Sequence, residues 1–175
     1  MAISLYDATI PSYLQILRAT AATIDKAEAF CAERGCDPAE LLGTRLIEDM
    51  FPLAMQIKWV STHSLGAIEG VRAGSFSPDR TAPAQSFAEF REEIGQSVAA
   101  LEAIDREEVE SFVGRDMLFV AGERRLEFAA ENFLLSFSLP NFYFHAATAY
   151  DILRHKGVPL GKIDFLGRPR IKAPS

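Results

Sequence analysis

The chain has 175 residues, a net charge of −6, 49% apolar and 24% charged side chains. This size suits a single domain, 1–175, around one core. The acidic balance argues against a nucleic-acid surface. No run of about 18 apolar residues exists, so no membrane span is expected.

The opening MAISLYDAT has neither a basic region nor a long apolar core and does not read as a secretory signal. Cys31 and Cys36 are too widely spaced for a CxxC redox motif and have no second pair to complete a zinc site. Reduced thiols in the cytoplasm are the expectation. Arg168, Arg170 and Lys172 gather among prolines at the end and read as a solvated tail.

The first helix is predicted from about Tyr6 to Gly35. Its stripe is Ile10, Leu14, Leu17, Ala21, Ile24 and Cys31. Pro11 falls in the opening turns, and Asp37-Pro38 starts a short helix through about Leu42. A second long helix is predicted over 48–72, with Met55, Trp59, His63 and Gly66 on one face; the segment before Pro52 can be a separate turn. The connection 74–85 holds Pro78 and Pro83 and reads as a loop across the end of a bundle. Ser86 and Glu89 form a capping box for a third helix, with Phe87, Phe90, Ile94, Val98, Leu101 and Ile104 inward. A turn or short helix follows over 105–112, and then a β-hairpin over 117–128, turning at Gly122-Glu123. A last helix is predicted over 130–156, ended by Gly157 and Pro159. The remainder, 158–174, is expected to be irregular, anchored by Phe165 and Leu166.

In the last helix, Phe137, Asn141, His145, Ala149 and Ile152 share one face. Asn141 and His145 therefore point at the core, where an unpaired polar group costs roughly 2–7 kcal/mol. Pro140 has no N–H for the carbonyl of Ser136 and should disturb the helix there. His63 lies mid-helix on the second inner face, and His155 faces solvent. The i,i+4 spacing of Asn141 and His145 lets both reach one point, and His63 could meet them inside the bundle. The expectation is imidazoles within about 8 Å of each other, with room for a shared ion or water. Two imidazoles and a neutral amide make a weak donor set for zinc. Two core histidines held by hydrogen bonds are the simpler reading, with Asn141 bonded to His145, His63 or a water. Glu48 and Asp49 are adjacent acids facing different directions; Gln56, Tyr13 and Tyr143 could line a pocket. There is no GxSxG, P-loop or dinucleotide fingerprint.

The block NFYFH…AYDILRHKGVPLGKIDFLG resembles the signature of an uncharacterised bacterial and fungal family, a domain of unknown function. MFPLAMQIKWVSTH and SLYDATIPSYLQIL fit it too, so the resemblance spans nearly the whole chain. That family is similar to the DinB/YfiT-like superfamily of four-helix bundles. The resemblance implies an all-α, DinB-like four-helix bundle with a small β-hairpin before the last helix. Many members of the superfamily hold a divalent metal by three histidines, one on the second helix and an HxxxH pair on the fourth. His63 matches the first and His145 the second of the pair; Asn141 stands where the other belongs. The site is thus expected to be a degenerate metal site, His63, Asn141 and His145, without a stoichiometric cofactor. The expected function is binding of an unidentified small molecule. The alternatives are a divalent-metal-dependent enzyme, such as a thiol-dependent transferase, and a structural dimerisation module without a site. The resemblance also implies a homodimer, for which exposed-looking Phe76 and Tyr143 are the sequence support.

Overall fold

A computed structural model describes residues 3–172. Helix α1, Leu5–Arg34, starts at Ser4, whose hydroxyl accepts from the Asp7 amide. Glu110 reaches across from α6, Arg106–Glu110, and accepts from the amides of Leu5 and Tyr6 at 3.3 and 3.0 Å. Free N–H groups at a helix start are thereby satisfied by a neighbouring element. Gly35 ends α1 at φ 66°, and the amide of Cys36 closes onto the Cys31 carbonyl, the six-to-one bond of a Schellman cap. Helix α2, Pro38–Leu42, follows, capped by Asp37 as predicted.

The predicted second helix is two helices. Pro52 is extended, and α3 begins only at Leu53, since a proline disfavours helical backbone in the residue before it. Helix α3, Leu53–Thr62, then breaks at His63-Ser64, and α4, Leu65–Ala73, resumes. The cause is local. The Ser64 hydroxyl donates to the carbonyls of Val60 and Ser61, and its amide bonds to Ser61 rather than one turn back. A serine hydroxyl that takes up the helix's own acceptors competes with the helix.

Helix α5, Phe87–Glu102, has the predicted Ser86 cap and a buried face of Phe87, Phe90, Ile94 and Leu101. The hairpin forms from β2, Asp116–Ala121, and β3, Arg124–Ala129, with Met117 opposite Phe128 and Phe119 opposite Leu126. A third strand, β1, Ser75–Phe76, adds parallel to β2 within the predicted loop. Two residues are too short to show alternation in sequence. The pairing buries Phe76 against Phe119 and Phe133, which corrects the reading of Phe76 as a surface aromatic.

The last rod, 130–155, is not uniform. It runs from α7, Ala130–Asn132, through a π-helical segment, Phe133–Ser138, into α8, Leu139–His155. The widened segment directly precedes Pro140, the predicted point of disturbance. The chain architecture is mostly helical: α1 packs on α5, α5 on α3, α3 on α8 and α8 on α1, with the small sheet at one end. Among the described residues, no helix is long and apolar enough to cross a membrane.

The tail contains a helix absent from the sequence reading, α9, Lys162–Leu166; residues 173–174 of the expected irregular stretch lie outside the described residues. It is pinned to α1 by Lys26–Asp164 at 2.7 Å and by the Gln15 amide donating to the Leu166 carbonyl at 2.8 Å. Phe165 meets Tyr150 edge-on, so the predicted anchoring role of Phe165 is seen in the packing. Gly167 makes the approach possible: its φ is 62°, and an added Cβ would stand 3.0 Å from the Ala19 Cβ. Gly167→Ala combines a strained backbone with a clash and is expected to destabilise the fold by roughly 1–3 kcal/mol. Urea denaturation of both forms measures this; equal stability would show that α9 is not held this closely.

Candidate functional site

Two helix irregularities meet at the site. The Ser138 hydroxyl, at the end of the π segment, donates to the carbonyl of His63 at 2.8 Å, where α3 gives way to α4. Around that junction stand His63 and, one turn away on α3, Trp59; α8 contributes His145. The three rings are nearly parallel and almost equidistant: 5.4 Å from Trp59 to His63, 5.5 Å from Trp59 to His145 and 5.7 Å between the imidazoles. The imidazoles are therefore closer than the 8 Å the sequence reading allowed. Phe51 lies parallel to Trp59 at 6.0 Å.

These rings wall a cleft of about 440 Å³, which Asn141, Phe137, Phe144, Phe119, Asp49 and Arg124 also border. Two polar atoms here are sealed without a partner among the described residues, His63 Nδ1 and Trp59 Nε1. Buried groups of that kind ordinarily have a partner, whether protein, water or ligand. A larger groove of about 570 Å³ runs between α1 and residues 162–170. Two of its polar side chains already have partners, Arg18 with Glu102 and Arg170 with the Ser12 hydroxyl, so it holds no comparable orphaned chemistry.

Asn141 is placed differently from the expectation. It is half-buried, and its amide nitrogen donates to the Phe137 carbonyl at 2.7 Å rather than to either histidine. An asparagine side chain that bonds to the carbonyl one turn back on its own helix does not reach inward. The partner of His145 is Gln56, whose Oε1 accepts from Nδ1 at 2.7 Å. Of the other candidates, Tyr13 is fully buried against Phe142, away from the cleft, and Tyr143 lies at the surface. Asp49 borders the cleft, Glu48 is exposed, and His155 is exposed as expected. Phe51, Phe119, Phe144 and Arg124 were not anticipated. Phe119 and Arg124 arrive on the hairpin, whose docking no helical periodicity reveals.

A three-histidine ion needs three strong donors. This chain offers two imidazoles and one neutral amide, whose oxygen is a weak ligand for zinc. Among the described residues, no group of three or more His, Cys, Asp or Glu side chains converges. The residues do not fit a three-ligand transition-metal centre. They do fit neutral hydrogen-bonding chemistry. Burial lowers His63 from the ordinary 6.5 to about 3, with a contribution from the neighbouring His145. Burial lowers His145 to about 4.

Both shifts favour the neutral ring in the native state. As pH falls below about 6.5, an unfolded histidine takes up its proton while these two do not. The unfolded state then binds more protons, so stability falls with pH, by up to roughly 1.4 kcal/mol per pH unit per histidine. The loss runs from about 6.5 down to the native values. His63→Phe keeps a ring in the stack and is expected to halve the slope between pH 6.5 and 5. Denaturant unfolding at several pH values is the check, and an unchanged slope would show that His63 is not held neutral.

The comparisons with known proteins agree with this architecture. A crystal structure described as a DinB family member protein from Shewanella denitrificans superposes with a TM-score of 0.80 at 29% identity, covering 97% of this chain and 96% of that one. No curated protein matches the chain. The sequence pattern of the domain of unknown function DUF1993 matches residues 5–166, nearly the full length. The chain belongs to the DUF1993 family, and its fold is that of a DinB-like protein.

Proposed function

We propose that this protein is a small-molecule-binding member of the DUF1993 family, built on a DinB-like four-helix bundle in which a degenerate metal position has become part of a ligand pocket. The observation that carries this reading is the aromatic cleft of about 440 Å³ into whose wall the His63 and His145 imidazoles are brought side by side. Apolar clefts with a few convergent polar groups are the usual form of small-ligand sites. Trp59 is the only tryptophan, so its indole N–H gives one resonance that reports on the site. Titration with a panel of flat ring compounds, charged and uncharged, is expected to shift that resonance. A panel that leaves it unmoved at millimolar concentration overturns the reading. Cys31 and Cys36 are free thiols, which suits the proposed cytoplasmic location.

The competing reading is a divalent-metal-dependent enzyme, such as a thiol-dependent transferase. Its support is the close approach of two neutral imidazoles. On the donor chemistry, native protein purified without a histidine tag should hold no stoichiometric zinc. Asn141→His should raise zinc or nickel affinity at least tenfold by supplying the third imidazole. Elemental analysis and metal titration of both forms decide it; near-stoichiometric metal in the native protein promotes the enzyme.

Self-association is a separate proposal. Phe144 and Tyr143 are 53% and 36% exposed on α8, an apolar pair on the protein surface. Light scattering at micromolar concentration should return the mass of a dimer, and a monomer overturns it.

A further inference from the structure

The cleft has a polarity fixed by a hydrogen-bond chain, and this inference rests on the ligand-pocket reading above. The Gln56 side chain is buried at 1% exposure between two partners. Its Nε2 donates to the Phe51 carbonyl at 3.1 Å, and its Oε1 lies 2.7 Å from His145 Nδ1. The reverse amide orientation would set two oxygens, Gln56 Oε1 and the Phe51 carbonyl, against each other with no proton between them. A carbonyl acceptor that must be satisfied on one side thus decides which atom faces the histidine on the other. With Oε1 facing it, His145 Nδ1 must carry the proton. In a neutral imidazole the other nitrogen is then an acceptor. His145 Nε2 has no protein partner among the described residues and is not among the sealed unpaired atoms, so it opens onto the cleft that the ring borders.

We propose that Gln56 is a positioning residue that locks His145 as the Nδ1–H tautomer, presenting Nε2 as a fixed acceptor, and that the cleft takes uncharged, flat ring molecules carrying an N–H or O–H donor. Flatness follows from the parallel Phe51, Trp59, His63 and His145 rings, against which a ring can stack. Absence of charge follows from the walls. The two charged side chains at the border, Asp49 and Arg124, are of opposite sign and leave no net charge for a charged ligand to match. The donor requirement follows from Nε2, since a ligand that buries this acceptor without a proton leaves it unsatisfied.

Two measurements test this. The first is the nitrogen-15 signature of His145 in the native protein, assigned with His63→Phe. A protonated Nδ1 and an unprotonated Nε2 are expected; a protonated Nε2 overturns the tautomer lock. Gln56→Met, which offers no oxygen acceptor, should shift His145 to a mixture or to the other tautomer. If Gln56→Met fails to fold, the native spectrum still decides the tautomer. The second compares indole with benzofuran, a ring of the same shape whose oxygen replaces the N–H, read on the Trp59 resonance. Indole should bind roughly threefold to tenfold more tightly, the worth of one hydrogen bond. Equal affinity overturns the donor requirement and leaves the pocket standing. Binding of neither compound, while charged rings from the panel do bind, overturns the ligand class alone.

Discussion

A single hydroxyl joins the two places where helices fail to be regular. Ser138, at the end of a π-helical segment, donates to the carbonyl of His63, at the break between two helices. Each irregularity alone would leave backbone groups short of partners, at a cost in a dry interior. Set at the same level, one supplies the other: the Ser138 hydroxyl satisfies the His63 carbonyl. The same contact brings the His63 segment to the last rod, so the imidazole of His63 comes to lie beside that of His145. The geometry of the cleft comes from two local faults in otherwise ordinary amphipathic helices.

The polar groups beneath the aromatic wall are treated unequally. Gln56 and His145 satisfy each other, and Lys58, buried nearby on α3, has three partners: the Thr81 carbonyl, the Thr81 hydroxyl and Asp79. Lys58 thus holds the 77–86 connection down on α3, close to where Pro78 borders the cleft. His63 Nδ1 and Trp59 Nε1 are left without such answers. Among the described residues the Tyr13 hydroxyl, against Phe142, and the Ser61 hydroxyl are likewise buried without a partner.

Much of this was legible in the residues. Ser86-Glu89, Asp37-Pro38 and Gly157 marked helix ends because capping is local chemistry, and the hairpin was visible from Gly122-Glu123 between alternating residues. The nearness of His63 and His145 followed from helical faces. Three features did not follow. The break at Ser64 depends on a serine rotamer, which composition does not encode. Strand β1 exists only because β2 is there to pair with it. Asn141 was assigned to the histidines by its i,i+4 spacing, yet that argument assumed regular α winding through 137–145. The carbonyl of Phe137 claimed the amide instead. Gln56, offered by the sequence as a residue that could line a pocket, does border the cleft, but its bond to His145 was not legible, because it joins two helices.

The π segment also changes how the last rod counts. A π turn holds about one residue more than an α turn, and each residue of an α-helix advances about 100° around the axis. Side chains before Phe133 and after Ser138 are therefore out of phase by about one position, as though a residue had been slipped into a regular helix. Deleting one residue within 133–138 would not simply shorten the rod. It would rotate α7 and the adjoining end of β3 against α8, carrying Phe128 off the face it shares with Phe133 and Phe137. A related chain whose rod winds as α throughout would correspond to this one residue for residue on only one side of Ser136, and bringing both sides into register would require a one-residue gap there.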